Sequence, residues 1–190
     1  MSASLVLLIV VVLAVIYGIF IYNQLVTLKH NVGKAWSNID VLLKQRHDEL
    51  PKLVETCRQY MKFEQETLEK VMQARTQVAS ARETQNIPAL GQAEGALRLG
   101  LGNLFAVAEA YPDLKTNETF QHLQARITGL ENAIADRREF YNDSVNINNV
   151  RVEQFPDTVV AQLFAFRQFP LLRFATEEKK DVDMRQLFAS

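Results

Sequence analysis

The densest group of side chains that could do chemistry is Arg46-His47-Asp48-Glu49, which lies just before Pro51. A histidine beside carboxylates can exchange protons near neutral pH, so these residue types are compatible with acid–base catalysis. The same residues also suit the solvated face of a helix with local ion pairing, and this is the favoured interpretation. If the group has a function, we expect His47 and Asp48 to contact a partner. An enzyme that uses Arg46–Glu49 is the alternative.

Other sequence signals for catalysis or metal binding are absent. The three histidines, His30, His47 and His122, do not have the spacing of metal ligands on a helix, and no HExxH or CxxC motif accompanies them. The chain also lacks GxSxG, Walker and GxGxxG patterns. We therefore predict no catalytic residue, no metal site and no cofactor. The single cysteine, Cys57, lies among apolar residues of helical period and is expected to be a small buried side chain.

Two aromatic motifs are further candidates for partner contacts. Trp36 is followed by polar residues, and its ring could pack in the core against the last long helix or the Tyr111–Asp113 turn, or could contact another molecule. The turn itself has the same two explanations, because a Tyr-Pro pair also simply ends a helix. The residues predicted either to contact a partner or to form a structural motif are therefore Trp36, Asn38, Asp40, His47, Asp48, Tyr111 and Asp113.

The elements that position these residues begin with an apolar run. Leu5–Tyr22 contains 18 residues without a charge, and the first charged side chain of the protein is Lys29. As a helix the run is about 27 Å long, close to the roughly 30 Å of a bilayer core, where the backbone must be helical. A cleaved signal peptide is the competing interpretation, but the leader has no basic residue and no small-residue cleavage site follows. We predict one uncleaved transmembrane helix.

Charge predicts the orientation and the class of partner. Lys29 and Lys34 follow the apolar run and no basic residue precedes it, which favours an N-terminus outside and a main domain in the cytoplasm. The chain has 21 basic and 22 acidic residues, a balance that argues against nucleic acid as a partner. Membrane lipid is the expected partner of the run.

Apolar residues beyond the run are spaced three and four apart, as in a helix that packs on other helices. Pro51 is expected to kink or interrupt this first helix near Glu49–Leu50, because proline lacks an N–H and crowds the preceding turn. The predicted buried face comprises Leu25, Leu28, Val32, Ala35, Ile39 and Leu42, and then Val54, Cys57, Met61, Leu68, Val71 and Val78.

Capping signals place the later helices. Asn86 and Pro88 are expected to begin a helix over about 88–111, and Asn117 to begin the next. The glycines of the first of these predict close approach of helices; they are Gly91, Gly95, Gly100 and Gly102.

A short last helix is predicted over Val159–Phe166, capped by Asp157 or Thr158. The sequence thus predicts an all-α protein in which a single transmembrane helix continues into an antiparallel bundle of long helices with a short fourth helix. The predicted divisions are a flank at 1–4, the transmembrane helix at 5–22, the bundle at 23–166 and an irregular tail at 167–190.

Several segments together resemble the LemA family. They occur in the family's order and are Tyr22–Val26, Ala35–Val41, Arg46–Val54 and Ala106–Lys115, followed by Phe120, Leu123-Gln124, Tyr141-Asn142 and Phe155-Pro156. The resemblance extends from the apolar run to about residue 166. It implies a single-pass protein of the bacterial inner membrane with a helical-bundle domain. It also implies an accessory role beside HtpX-type membrane zinc proteases, whose genes often neighbour those of the family.

These observations favour a membrane-anchored scaffold or adaptor without catalytic activity. The apolar run joins an amphipathic helix without a flexible linker, and the long helices leave outer faces on which copies could stack. We therefore expect homo-oligomers. An association with an HtpX-type protease in membrane-protein quality control is expected from the resemblance alone.

Overall fold

A computed structural model describes residues 3–174 of the 190-residue chain, and in that range every regular element is a helix. The predicted all-α class is confirmed. The helices are α1 (Ala3–Tyr60), α2 (Gln65–Glu83), α3 (Ile87–Ala108), α4 (Pro112–Lys115), α5 (Glu118–Glu153) and α6 (Asp157–Leu163). Of the predicted irregular tail, residues 167–174 are described and are not helical, whereas 175–190 lie outside the described residues.

The chain divides into two compact units. Unit 1 comprises the chain up to Ile39 together with Asp136–Leu171. Unit 2 comprises Asp40–Ala135 and resumes at Leu172. Each unit is described separately below.

The N-terminal stretch of α1 in unit 1 is long and apolar enough to cross a membrane. Its side chains from Leu5 to Phe20 are exposed almost throughout, unlike the core helix of a soluble protein. Packing begins directly where this stretch ends, because Ile21 and Leu25 are buried against Ala161 of α6. The apolar run therefore continues into the packed part of unit 1 within one helix, as the sequence predicts.

The remainder of unit 1 is held by α5 and by the chain after α6. The rings of Trp36 and Tyr141 meet edge to face, with centroids 6.0 Å apart. Asn149 bonds the main chain of Phe169 twice, since its Nδ2 donates to the carbonyl oxygen and its Oδ1 accepts from the amide, both at 2.9 Å. These contacts fix the segment after α6 along α5.

The first helix ends at a different residue from the one predicted. It continues through Pro51 to Tyr60, so the helix is not interrupted at Glu49–Leu50, and of the predicted kink or interruption only a kink stays a prediction. The actual break comes at residues 61–64, a segment without glycine or proline. The following helix also starts without a recognisable signal, because its N-cap residue, Glu64, forms no side-chain capping bond.

A partner from α2 explains how α1 accommodates Pro51. In a regular helix the N–H of residue 51 would donate to the carbonyl oxygen of His47, four residues earlier. Proline has no N–H, and this carbonyl is left without its helical donor. Arg75 supplies the replacement, since its Nε donates to the His47 oxygen at 2.9 Å.

Two capping predictions in unit 2 are confirmed. The Oδ1 of Asn86 accepts from the amide of Ala89 at 3.2 Å, and Pro88 lies in the first turn of α3. The Oδ1 of Asn117 accepts from the amide of Phe120 at 3.0 Å. Helix α3 ends at Ala108, before the predicted 111, and the short α4 fills part of the connection.

The glycines of α3 have different surroundings. A Cβ at Gly100 would lie 3.4 Å from Cγ2 of Val71 in α2, which is the close helix approach that the sequence predicts. A Cβ at Gly91 would instead overlap the carbonyl oxygen of Arg173, in the chain beyond α6. Nothing lies near a Cβ at Gly102. Close approach of two helices therefore accounts for Gly100. At Gly91 the absence of a side chain instead leaves room for the non-helical backbone at Arg173.

Two smaller predictions change. Helix α6 begins at Asp157 itself, which is not a cap; its carboxylate instead pairs with Nε of Arg151 at 2.6 Å. On α1 the buried face includes Leu43, while Leu42 is only partly buried. The second shift follows from the drift of an α-helix relative to a strict seven-residue repeat.

Candidate functional site

Arg46 lies inside unit 2 and not on a solvated face. Its side chain is 1% exposed, and its two terminal nitrogens donate to Glu94 of α3 and Glu131 of α5. Glu94 is buried as well, at 2%. The expectation of local ion pairing on a solvent-facing helix is therefore wrong for Arg46, which joins three helices through a buried ion cluster, defined here as Arg46, Glu94 and Glu131.

The pKa values in the buried ion cluster depend on burial and on the presence of two carboxylates beside one guanidinium. Burial raises the pKa of the Glu94 carboxyl; Arg46 opposes the shift and Glu131 adds to it. Burial also disfavours the charge of Arg46, but the two carboxylates outweigh this and raise the pKa of the guanidinium. A charged arginine shared by two acids therefore holds three helices together.

Helical spacing is the signal that would have found this cluster. Arg46 follows the buried Ile39 and Leu43 by seven and three residues, which is a core position of α1. Glu94 occupies the same kind of position on α3, between the buried Leu90 and Leu97. A basic and an acidic residue that both interrupt buried faces predict a buried pair, because an unpaired buried charge is very costly.

Glu49 and His47 also serve as links between helices. The Oε1 of Glu49 lies 3.0 Å from Nε of Arg126 on α5, and its Oε2 lies 3.2 Å from Nζ of Lys52. The Nε2 of His47 lies 2.6 Å from a terminal nitrogen of Arg75, which makes this ring nitrogen an acceptor. Within the candidate polar group, the side chains of Glu49 and His47 therefore hold α1 against α5 and α2.

Burial lowers the pKa of His47, and the positive charge of Arg75 lowers it further. Asp48 opposes this shift through its charge, but its own side chain is exposed. Of the two residues predicted to contact a partner, His47 is committed to the fold and Asp48 lies on the surface.

Trp36 and Asn38, in unit 1, lie in different environments. Trp36 is partly buried against Tyr141 of α5, which is one of the two core contacts that the sequence suggests. Tyr141 is anchored in turn, because its hydroxyl donates to the carbonyl oxygen of Pro170 at 3.1 Å. Burial raises the pKa of Tyr141 to about 12. Asn38 is exposed.

The Tyr111–Asp113 turn lies beside the break between α1 and α2. The hydroxyl of Tyr111 is 3.5 Å from Oε1 of Glu64, and Nδ2 of Asn117 donates to the hydroxyl of Tyr60 at 3.1 Å. Asp113 is exposed in the first turn of α4. The break between α1 and α2 and the turn before α4 are thus joined by hydrogen bonds. No pattern in the sequence predicts that these two segments meet.

The candidate residues of unit 2 do not form one site. Asp40 pairs with Arg82 at 3.8 Å, whereas His47 and Tyr111 have the separate partners given above. Among the described residues, no hydrogen bond or ion pair joins any two of Asp40, His47, Asp48, Tyr111 and Asp113. No group of three or more histidine, cysteine or acidic side chains in residues 3–174 is arranged to hold a metal ion.

Known proteins place the chain in a family. Residues 35–185 match the sequence profile of the LemA family. Magnetosome protein MamQ 2 of Paramagnetospirillum magneticum is 24% identical over 170 residues, which is 77% of this chain and 62% of the relative. MamQ of Magnetospirillum gryphiswaldense is 23% identical with the same coverage. Protein LemA of Metamycoplasma hominis is 26% identical over 87% of this chain and 74% of its own length.

The match is partial in length for the magnetosome proteins, since this chain spans 62% of each. The family profile nevertheless covers most of the 190 residues, including the Trp36 motif, the buried ion cluster and the Tyr111–Asp113 turn. The chain belongs to the LemA family.

Proposed function

We propose that the protein is a membrane-anchored scaffold or adaptor without catalytic activity, which forms homo-oligomers in the bacterial inner membrane. We further propose that it associates with an HtpX-type membrane zinc protease in membrane-protein quality control. The observation that carries the proposal is the continuity of α1, which contains both the apolar stretch and the packed residues of unit 1. The protease partner rests on family resemblance.

Continuity of α1 favours a scaffold because it limits movement between an anchor and the domain that follows. Ile21 and Leu25 are already buried against α6, directly after the exposed apolar stretch. A loop at this point would let the domain swing freely, as suits a tethered enzyme that searches for soluble substrate. A helix instead keeps unit 1 at the membrane surface, beside any integral partner.

The fate of the Arg46–Glu49 group weakens the enzyme alternative. Arg46 is buried and its charge is shared between Glu94 and Glu131. Glu49 is paired with Arg126, and His47 accepts from Arg75. Side chains held in this way stabilise the bundle, and a proton transfer through them would cost the contacts between helices.

An exposed apolar stripe on α5 supports self-assembly. Phe140, Ile147 and Val150 are all exposed large hydrophobic residues in unit 1. Their spacing of seven and three residues places them on one face of the helix. A second copy that presents the same stripe would remove these side chains from water.

Size measurement of the full-length protein in mild detergent, with and without a candidate HtpX-type protease, tests the proposal. We expect a species larger than a monomer, and a further increase in mass when the protease is added. Substituting serine for both Phe140 and Ile147 should reduce the larger species, whereas Phe63→Ser, at an exposed site in unit 2, should not. A monomer under both conditions, with no co-purifying membrane protein, contradicts the proposal.

A further inference from the structure

A basic pocket of about 580 Å³ lies in unit 1, close to the end of the apolar run. One wall is α1, which contributes Lys29 and His30. The opposite wall is the chain after α6, which contributes Arg167. The rings of Tyr22 and Phe164 lie at the pocket and contact each other edge to face, with centroids 4.7 Å apart.

Within residues 3–174, no acidic partner compensates the charge of this basic pocket. The described lining residues include the basic side chains of Lys29, His30 and Arg167 but no carboxylate. Lys29 and Arg167 form no ion pair with any residue in the range 3–174, and both are exposed. A concave site with several N–H donors and no acid is complementary to an anion such as a phosphate.

The height of the basic pocket matches the headgroup layer of a bilayer. Lys29 follows Tyr22 by seven residues, or about 10 Å along a helix at roughly 1.5 Å per residue. The headgroup layer extends on the order of 5–7 Å beyond the hydrocarbon core. Side chains on a helix lean towards its N-terminus, here towards the apolar run, and a lysine stem bridges the remaining distance.

An apolar face of α6 adjoins the basic pocket. Val159 and Leu163 are exposed and four residues apart, and so lie on one face of α6. Phe155, in the turn that precedes α6, is exposed as well. The opposite face packs inward, since Asp157 and Ala161 are buried. Because Ala161 packs against Ile21 and Leu25, the exposed face lies level with the end of the apolar run.

We propose that the basic pocket binds the phosphate headgroup of an anionic phospholipid from the bilayer that holds α1, with the exposed face of α6 against the acyl chains. The proposal assumes only that α1 is embedded in a membrane, and it does not depend on oligomers or on a protease. Lys29, His30 and Arg167 recognise the headgroup. Val159 and Leu163 contact the apolar part, as the residues of an interfacial helix do, together with Phe155 in the preceding turn.

Native mass spectrometry of the full-length protein, released from detergent micelles with added lipid, tests the proposal. The probes are dioleoyl phosphatidylglycerol and dioleoyl phosphatidylcholine, which share acyl chains and differ in headgroup charge. The variant is Lys29→Gln with Arg167→Gln. The matched control is Lys34→Gln, an exposed lysine on the same helix that does not line the basic pocket. Circular dichroism establishes that each variant keeps its helices.

We expect the wild-type protein and Lys34→Gln to retain phosphatidylglycerol in preference to phosphatidylcholine. Two basic residues near an anionic surface strengthen binding on the order of thirtyfold, and the double variant should lose most of this preference. Millimolar inorganic phosphate should not displace the lipid, because phosphate has no acyl chains and cannot make the contacts of the lipid with the exposed face of α6. Displacement by phosphate identifies a small-anion site and overturns the proposal.

Equal retention of the two lipids by the wild-type protein also overturns it, whatever the variants show. The same holds if Lys34→Gln loses the preference as fully as the double variant does. If the double variant does not fold, the single variants Lys29→Gln and Arg167→Gln replace it, each with an expected loss of about fivefold.

Discussion

Arg75 donates from Nε to the carbonyl oxygen of His47, across 2.9 Å and from one helix to another. Pro51, four residues later, has no N–H and so cannot donate a hydrogen bond to this oxygen. A side chain from α2 therefore repairs the backbone of α1, which allows the helix to run through a proline to Tyr60. A double-mutant cycle can measure how much this repair contributes to stability.

Replacing Arg75 with methionine should destabilise the bundle by about 1–3 kcal/mol, because a partly buried carbonyl then lacks a donor. In a Pro51→Ala background the same change should cost less, since the alanine has a backbone N–H that restores the helical bond to His47. Thermal melts of the four proteins in detergent, followed by circular dichroism, give the coupling energy. Equal costs of Arg75→Met in both backgrounds would show that the His47 carbonyl does not need this donor.

The pH dependence of stability should report on His47. Its pKa is lowered in the folded state, so protonation is easier in the unfolded chain. The stability from its neutral form is therefore present above the unfolded pKa of about 6.5 and is lost as the pH falls through the lower, folded pKa. We expect the melting temperature to fall on acidification over this range.

Glutamine at position 47 should flatten that part of the profile, because its side-chain oxygen still accepts from Arg75 and does not titrate. The matched control is His122→Gln, which replaces an exposed histidine. A profile that is unchanged by His47→Gln would rule out this histidine as the source.

Removing Arg46 should be far more costly than removing a surface arginine. Arg46→Ala leaves Glu94 and Glu131 without their shared cation, for an expected cost of about 3–5 kcal/mol. Arg58 pairs with Glu55 in an exposed position, so Arg58→Ala should cost less than about 1 kcal/mol. Denaturation midpoints in detergent compare the two variants. A small effect of Arg46→Ala would mean that the buried ion cluster contributes little to stability.

Two glycines of α3 should respond in opposite directions to the same substitution. Gly91→Ala places a methyl group against the carbonyl of Arg173, and overpacking of this kind costs about 1–3 kcal/mol. Gly102→Ala meets no neighbour and should stabilise the helix by roughly 0.5–1 kcal/mol. The sign of the change in melting temperature decides the comparison, and stabilisation by both substitutions would contradict the close approach at Gly91.

The proposed orientation can be tested by cysteine labelling in intact cells. His122 is exposed, and a cysteine there should react with an impermeant maleimide only after the cells are permeabilised. Native Cys57 gives little background, because it is buried and burial raises the pKa of its thiol to about 12. Ser4→Cys, before the apolar run, is the reciprocal control and should react in intact cells. Labelling of His122→Cys without permeabilisation would place the main domain outside.

Features that depend on a few neighbouring residues were predictable from the sequence. The apolar run is exposed along one helix, as a charge-free stretch of its length indicates. The caps at Asn86 and Asn117 form because each side chain bonds an amide three residues later. The burial of Cys57 follows from helical period in the same local way.

Other features needed the tertiary structure, because the groups that satisfy them are distant in sequence. Arg46 meets partners 48 and 85 residues away, and the donor that compensates for Pro51 is 28 residues from His47. Local rules alone predict Arg46 at the surface and a kink or an interruption of the helix at Pro51. Removing a charge or an unbonded carbonyl from water is costly unless another group pairs with it. Only the packing of the helices decides whether such a group lies within reach.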